Sequence, residues 1–391
     1  MGGIKTLTMG ACEAIEHADV LIGARRMLEL AGKDDRPTLC EYRADAIAEY
    51  LAEHEEYGTA AVLLSGDVSF YSGAKRLRER LGNRDVTVIP GISTLSYMCA
   101  RLGIAAEDTE AVSLHGTDKS IICRVRDNRF TFALLSKAGD IKKLCDELLY
   151  FGGGDCTVYI GSRLGYDDER IIKASPSDHK GDALDPAAVV IENPAPLRLR
   201  GRHLRDEELL RGDVPMTKGH IRALSIAALD VKDGDVVYDI GSGTGSVSAE
   251  LSLISHDVTV YAIERDADAR RLTEENRRRF WADNIITVNG SAPEVLTELP
   301  PPDRVFIGGS GGALEEIIKA VLRKNSDVEI VLNAVTLNTV SAVTDIAARL
   351  RLAAEVTLVS AARSRKAGNN ILMQGENPIY IFRLRRENND V

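Results

Sequence analysis

Residues 236–252 read VVYDIGSGTGSVSAELS, an apolar run that meets a glycine at every second position and passes directly into a helix-forming stretch. A strand, then Gly241, Gly243 and Gly245, then a helix is the entry to a βαβ unit, where backbone without side chains can approach a ligand closely. The spacing is GxGxG, not the GxGxxG of the dinucleotide fingerprint. Asp239 stands two residues before the first glycine, placed to receive an ammonium group. The next apolar strand ends in Glu264, where a carboxylate can accept both hydroxyls of a ribose. Asp239, Gly241, Ser242, Gly243, Thr244, Gly245 and Glu264 are therefore candidate contacts for an adenosine-containing cofactor. Another Rossmann-like nucleotide site and a purely structural turn are the competing readings.

Around this junction the chain alternates helical and strand patterns, as an α/β protein does. At 391 residues it exceeds the size at which one core stops growing, so two domains are expected. In the first half, helices are predicted at 5–16, 44–56, 74–81 and 140–150, and strands at 19–22, 59–64, 86–89, 131–135, 157–160 and 187–191. After Asn193 comes LRLRGRHLRDEELLRGDVP, a basic connector with one short helix. The second half predicts helices at 220–228, 247–253, 267–280, 314–322 and 339–350, and strands at 236–239, 258–263, 286–288, 304–307 and 329–332. Two final strands, 354–359 and 379–384, have no helix between them and should pair antiparallel at an edge. The expected domains are 1–197 and 212–391, with a linker at 198–211.

The net charge of -10 weighs against a general grip on nucleic acid or on a membrane surface. The longest apolar runs are too short to cross a bilayer and no signal pattern follows Met1, so a cytoplasmic location is expected. The six cysteines all lie in the first half without a CxxC pair, which suits reduced thiols, and no metal site is expected.

The stretch PMTKGHIRALSIAALDVKDGDVVYDIGSGTGSVSAELS, with VYAIERD, GSAPEVL and VFIGGSGG after it, resembles the decarboxylating methyltransferase domain of the precorrin-6Y methyltransferases, over roughly residues 212–384. The resemblance implies a class I, Rossmann-like fold that uses S-adenosyl-L-methionine. It implies methylation at ring carbon 15, coupled to loss of carbon dioxide from the acetate on carbon 12. It also implies that Thr217 closes over the cofactor and that Ser291 and Ala292, in the loop after the third strand, meet the adenine. A polycarboxylate tetrapyrrole substrate needs a basic lining. The candidates are Lys218, His220 and Arg222 before the glycine turn and Arg363, Arg365 and Lys366 after it, the last group also readable as a solvated turn.

In the first half, LLSGDVSFYSGAKRL (63–77), VIPGISTLSYMCARLGI (88–104), VSLHG (112–116) and VYIGSRLGYDDERI (158–171) together resemble the tetrapyrrole methylase family, a two-lobed α/β fold that binds the same cofactor. By motif, Gly66, Asp67 and Val68, with Pro90, Gly91, Ile92, Ser93 and Thr94, border the cofactor, and the hydroxyls can cap a helix that begins there. Methylation at carbon 5 is the implied reaction, and a homo-oligomer the implied assembly. The family opens with an apolar strand and a GxGPG loop, whereas this chain begins MGGIKTLTMGACEAIEHADV, so the first strand is expected to be missing and the first domain weakened. The rival reading is a class I methyltransferase on another substrate such as RNA, with the first domain a docking module.

Overall fold

The computed structural model describes residues 2–32, 35–114, 120–137, 139–178, 185 and 187–387, so His115 and Gly116 of the VSLHG stretch lie outside the described residues. The chain divides after Pro196 into two units. In the first, β1 (Val20–Gly23), β2 (Thr38–Cys40) and β3 (Ala60–Leu63) form a parallel sheet in the order β2-β1-β3. With it go α1 (Met9–His17), α2 (Arg25–Leu30), α3 (Ala44–Glu53) and α4 (Ala74–Leu81). The helix expected at 5–16 is split. A 3-10 turn covers Ile4–Thr6, and α1 starts afresh where Thr8 Oγ1 accepts from the backbone N–H of Ala11 at 3.3 Å, a side-chain cap that satisfies an end-of-helix donor.

A second sheet in the same unit runs β4-β5-β8-β6-β7, from β4 (Thr109–Ser113), β5 (Phe130–Leu134), β6 (Thr157–Ser162), β7 (Arg170–Ala174) and β8 (Ala187–Glu192). Only its β4–β5 pair is parallel. Helices α5 (Thr94–Leu102), α6 (Ile122–Asp127) and α7 (Asp140–Phe151) accompany it, and Met98, Phe132, Leu164, Ala188 and Val190 form its core.

The strand expected at 86–89 is absent. Its alternating VTVI pattern is right for a strand, but a strand needs a ladder partner. Among the described residues β3 pairs only with β1, and a cavity of about 770 Å³ separates its other edge from residues 86–89. Ala11 and Ile15 of α1 and Leu77 and Leu81 of α4 also line the cavity, and Val86 and Val88 are left 38% and 44% exposed.

The second unit is built on one seven-stranded sheet, ordered β11-β10-β9-β12-β13-β17-β14. Its strands are β9 (Val236–Ile240), β10 (Thr259–Glu264), β11 (Ile285–Asn289), β12 (Arg304–Ile307), β13 (Glu329–Ala334), β14 (Leu352–Val359) and β17 (Ile379–Arg386). The first five are parallel. β17 pairs antiparallel with both β13 and β14, as the missing helix between the last two predicted strands requires, and lies inside the sheet with β14 at the edge. Between them sits a separate hairpin, β15 (Ala362–Ala367) and β16 (Asn370–Gly375), where the sequence predicts no strand and offers a solvated turn at 363–366 as one of two readings. The helices are α8 (Gly219–Leu229), α9 (Ser246–Ser252), α10 (Ala267–Arg279), α11 (Leu314–Lys324) and α12 (Leu337–Leu350).

The connector carries only a 3-10 turn, Asp206–Glu208, and is part of this unit's packing. Leu199, Leu204 and Leu209 are buried against Ala249, Leu253 and Phe280. No helix among the described residues is long and apolar enough to cross a membrane.

Phe382 on β17 is 1% exposed and lies in a core cluster of this unit with Ile330, Leu332 and Val343. Phe382→Ala is expected to destabilise the second unit by about 3–5 kcal/mol. The chain's one tryptophan, Trp281, lies in that unit, so urea unfolding followed by its fluorescence reads the effect directly.

Candidate functional site

In an open parallel sheet, ligands bind beyond the carboxyl ends of the strands where the strand order reverses direction. Here the reversal falls at β9, flanked by β10 on one side and β12 on the other. The loops leaving β9 and β12 meet at that point. Gly308 and Gly309 donate to the carbonyl of Ile240 at 2.9 and 3.2 Å. A β-carbon on Gly241, whose φ is +72°, would lie 2.8 Å from the backbone nitrogen of Gly309, so no other residue fits without separating the loops. Gly245, also at φ +72°, opens α9, and a β-carbon there would strike Thr273 at 2.8 Å.

Helix α10 braces the turn from behind. Thr273 Oγ1 donates to the carbonyl of Gly243 at 3.0 Å, and Asn276 Nδ2 donates to that of Thr244 at 2.9 Å. The same Asn276 exchanges two 2.8 Å hydrogen bonds with the backbone of Leu210, tying the connector to the turn. Neither brace was singled out from the sequence, because both depend on a tertiary contact that no local pattern announces.

The polar groups of the turn are buried and incompletely matched. Asp239 is 1% exposed, and its Oδ2 accepts from the Ser248 hydroxyl. Its Oδ1, together with Ser242 Oγ and Thr244 Oγ1, is buried without a hydrogen-bond partner. Three such atoms within six residues form a cradle that a ligand with donors would complete, since unpaired buried polar groups are costly. Burial, and secondarily the nearby carboxylate of Glu264, pushes Asp239 up from 3.8 to about 6, against the lowering pull of Ser248.

Glu264 ends β10 as the sequence places it. Its Oε2 accepts from the N–H of Gly243 at 3.0 Å, and its Oε1 from those of Arg265 and Asp266 at 2.8 and 2.9 Å. The loop after β11 comes to the same point through the N–H of Gly290, 3.2 Å from the Glu264 carbonyl. Ser291, exposed, and Ala292, half-buried, follow that glycine in the chain. On the other side the segment before α8 lies over the turn, with the Pro215 carbonyl 3.5 Å from where a β-carbon on Gly243 would stand. Thr217 is two residues further on.

Arg222 is a correction. Expected to line the substrate site, it is 0% exposed and wholly engaged. Its Nε donates to Glu250 at 2.6 Å, Nη1 to the Thr217 carbonyl at 2.8 Å and to Asp206 at 3.3 Å, and Nη2 to the Leu204 carbonyl at 2.5 Å. His203 Nδ1 also lies 2.5 Å from Glu250. Arg222 therefore fixes the backbone of Thr217 and cannot reach a substrate. A signal for this was present in SVSAELS, where Glu250 is a lone charge among small residues on a helix with every residue buried, which demands a cationic partner.

Lys218, His220 and Arg363 do come together, around Glu376: Lys218 Nζ is 3.0 Å, Arg363 Nε 3.4 Å and His220 Nε2 3.1 Å from its carboxylate. Glu376 was not foreseen. Arg365 and Lys366 lie further along strand β15, so neither is in a turn, and no ion pair among the described residues joins them to this cluster.

In the first unit the two motif loops are in contact. A β-carbon on Gly91 would stand 2.2 Å from the Gly66 carbonyl oxygen and 3.5 Å from Cα of Asp67. Thr94 Oγ1 is 3.8 Å from the matching point on Gly66, which has φ +76°. Ser93 Oγ accepts from the Ser96 N–H at 3.0 Å and so caps α5, and Asp67 Oδ1 accepts from the Ser69 N–H and hydroxyl, both at 2.9 Å. Val68 and Ile92 complete the two loops, half-buried and 36% exposed. No group of three metal-ligating side chains occurs among the described residues.

Two outcomes follow from the second unit. The folded-state value of Asp239 lies above its unfolded one, so its ionised form opposes folding. As pH rises from about 4 through 6 the empty protein loses up to about 3 kcal/mol, a loss that persists above pH 6. Asp239→Asn should therefore melt higher than the parent chain at pH 7.5, with the gap closing toward pH 4, while S-adenosylhomocysteine binds at least about tenfold more weakly by calorimetry. Arg222→Met strands the Glu250 carboxylate in the interior. It should lower stability by about 3–5 kcal/mol in the Trp281 urea titration, with partial recovery on adding Glu250→Gln.

Residues 208–386 match the precorrin methyltransferase domain, and residues 1–178 the tetrapyrrole (corrin/porphyrin) methylases. The chain is 42% identical over 171 residues to the probable cobalt-precorrin-6B C(15)-methyltransferase (decarboxylating) of Pyrobaculum calidifontis, covering 43% of this chain and 88% of that protein. It is 29% identical over 359 residues to the precorrin-6Y C(5,15)-methyltransferase [decarboxylating] of Sinorhizobium sp, covering 89% of this chain and 86% of that one. A crystal structure of precorrin-6Y C5,15-methyltransferase from Geobacter metallireducens is 37% identical over 48% of this chain and 97% of its own, with a TM-score of 0.45. With a precorrin methyltransferase domain over residues 208–386 and a tetrapyrrole methylase match over residues 1–178, the chain belongs to the decarboxylating precorrin methyltransferases, S-adenosylmethionine-dependent enzymes.

Proposed function

We propose that the chain methylates a corrin-ring precursor of cobalamin twice, at carbon 5 in the first unit and at carbon 15 in the second, with loss of carbon dioxide from the carbon 12 acetate. The observation that carries the second-unit assignment is the cradle at the β9 turn, where the Asp239, Ser242 and Thr244 oxygens are buried without partners. Asp239 Oδ1 and the two hydroxyls suit the amino acid end of S-adenosylmethionine. Glu264 suits the ribose, Ser291 and Ala292 the adenine, and Thr217 the covering segment. The bound sulfonium supplies an activated methyl group.

The chain's own residues then have to align a nucleophilic ring carbon with that methyl and keep water out, a task of positioning more than of acid or base chemistry. When the acetate loses carbon dioxide, the electron pair of the broken C–C bond passes into the conjugated macrocycle. The absence of a side-chain nucleophile from the proposed scheme therefore leaves no step unserved. In the first unit the joined loops of Gly66–Asp67–Val68 and Pro90–Gly91–Ile92–Ser93–Thr94 are the proposed second cofactor site. The polycarboxylate substrate meets basic side chains placed locally on an otherwise acidic protein.

Titration of the chain with S-adenosylhomocysteine tests both assignments. Two sites per chain are expected. Gly243→Arg, at φ +56° under the Pro215 carbonyl, should remove one, and Gly91→Val, which forces the two first-unit loops apart, should remove the other. A chain that takes up no S-adenosylhomocysteine overturns the reading, and a single site untouched by Gly91→Val removes the carbon 5 assignment.

A further inference from the structure

Three basic side chains from two segments converge on one acidic residue beside the cradle. Lys218 and His220 stand at the start of α8, and Arg363 is on β15. Glu376 follows β16 and is anchored by its own N–H, 2.9 Å from the Ala361 carbonyl. We propose that Lys218, His220 and Arg363 form a carboxylate-binding nest, and that Glu376 occupies it as a stand-in for a carboxylate of the substrate. This rests on the polycarboxylate substrate proposed above and adds to it the subsite and the residue that guards it.

The donors are set for an anion that Glu376 only partly satisfies. Arg363 Nη2 lies 2.8 Å from His220 Nδ1, and a guanidinium can only donate, so Nδ1 accepts and the imidazole carries a hydrogen on Nε2. That nitrogen is 3.1 Å from Glu376 Oε2, yet it is buried without an aligned hydrogen bond. A carboxylate seated differently would accept from it. Arg363 is itself held in place by Asp206, 3.3 Å from both Nη1 and Nη2.

The nest is open on one side and closed on the other. Lys218 and Arg363 side chains are 50% and 49% exposed, whereas that of Glu376 is 13% exposed. Lys218, first among its neighbours, holds the Glu376 carboxyl below its ordinary range, so the residue competes as an anion at neutral pH. Ion pairs that are half exposed hold weakly, which makes exchange for another carboxylate easy. Lys218 follows directly on Thr217, whose backbone Arg222 fixes, and is three residues from the Pro215 carbonyl above Gly243. The nest therefore sits beside the cofactor cradle of the same unit, where a substrate side chain has to be held.

Displacement has a signature that a structural brace lacks, because removing the charge of the occupant must strengthen binding. The probe is uroporphyrin I, an octacarboxylate tetrapyrrole, added to the full chain with S-adenosylhomocysteine present. Glu376→Gln, and independently Glu376→Ala, should bind it about five- to tenfold more tightly than the parent, the size expected from removing one partly exposed competing charge. Lys218→Met added to Glu376→Gln should erase the gain. Unchanged or weaker uroporphyrin binding by both Glu376 variants, with the parent binding it, overturns the nest and leaves the proposed function standing. A parent chain that binds S-adenosylhomocysteine but no uroporphyrin, even with Glu376 replaced, overturns the nest together with the polycarboxylate substrate.

Discussion

Two backbone loops cross within van der Waals contact at the carboxyl ends of β9 and β12, and the architecture of the second unit follows from that crossing. It is possible only because Gly241 and Gly308 carry no side chains there: a β-carbon on Gly241 would stand 2.8 Å from the backbone of Gly309, and one on Gly308 would stand 3.0 Å from the Gly241 carbonyl oxygen. The crossing puts the start of α9 and the ends of β9 and β10 around one point. The buried polar atoms of Asp239, Ser242 and Thr244 gather there as a consequence, and α10 and the connector are then recruited by Asn276 to hold the turn in shape.

The same region shows stability given up for binding. A carboxylate at 1% exposure with one unmatched oxygen is a poor choice for an empty fold, and burial raises its proton affinity accordingly. The Arg222–Glu250 pair is different. It is equally buried, but each of the three guanidinium nitrogens donates to a carboxylate or carbonyl, so it works as a rivet between the connector, the Thr217 segment and α9. Two buried charges a few residues from one cradle thus have opposite roles, and the difference is whether the protein itself supplies the partner.

Much of this was legible in the sequence because the demands were local. The positive φ values of Gly241, Gly243 and Gly245, the end of β10 at Glu264 and the cap at Ser93 are written in short motifs and in apolar periodicity. Helix 74–81 is found as predicted for the same reason. What was hidden depends on partners distant in sequence. The stretch 86–89 has a strand's pattern without a neighbour to pair with, and Arg222 looked like a basic residue on an entering helix until Glu250 was placed against it. The hairpin of β15 and β16 was missed because residues 362–375 are almost all exposed, Ile371, Leu372 and Met373 included, so no buried apolar face marks either strand, and Glu376 has meaning only once Lys218, His220 and Arg363 surround it.

The unpaired edge of β3 constrains what the strand itself can carry. Four uncharged residues, Ala60–Leu63, offer backbone donors and acceptors toward a cavity, without the lysine, proline or bulge that natural sheets use to blunt such an edge. The same cavity is lined by Gly66, Val68, Pro90 and Gly91, so a charged side chain introduced along β3 would be set down beside both loops of the proposed first-unit cofactor site, and the edge has to stay apolar for the sake of those loops.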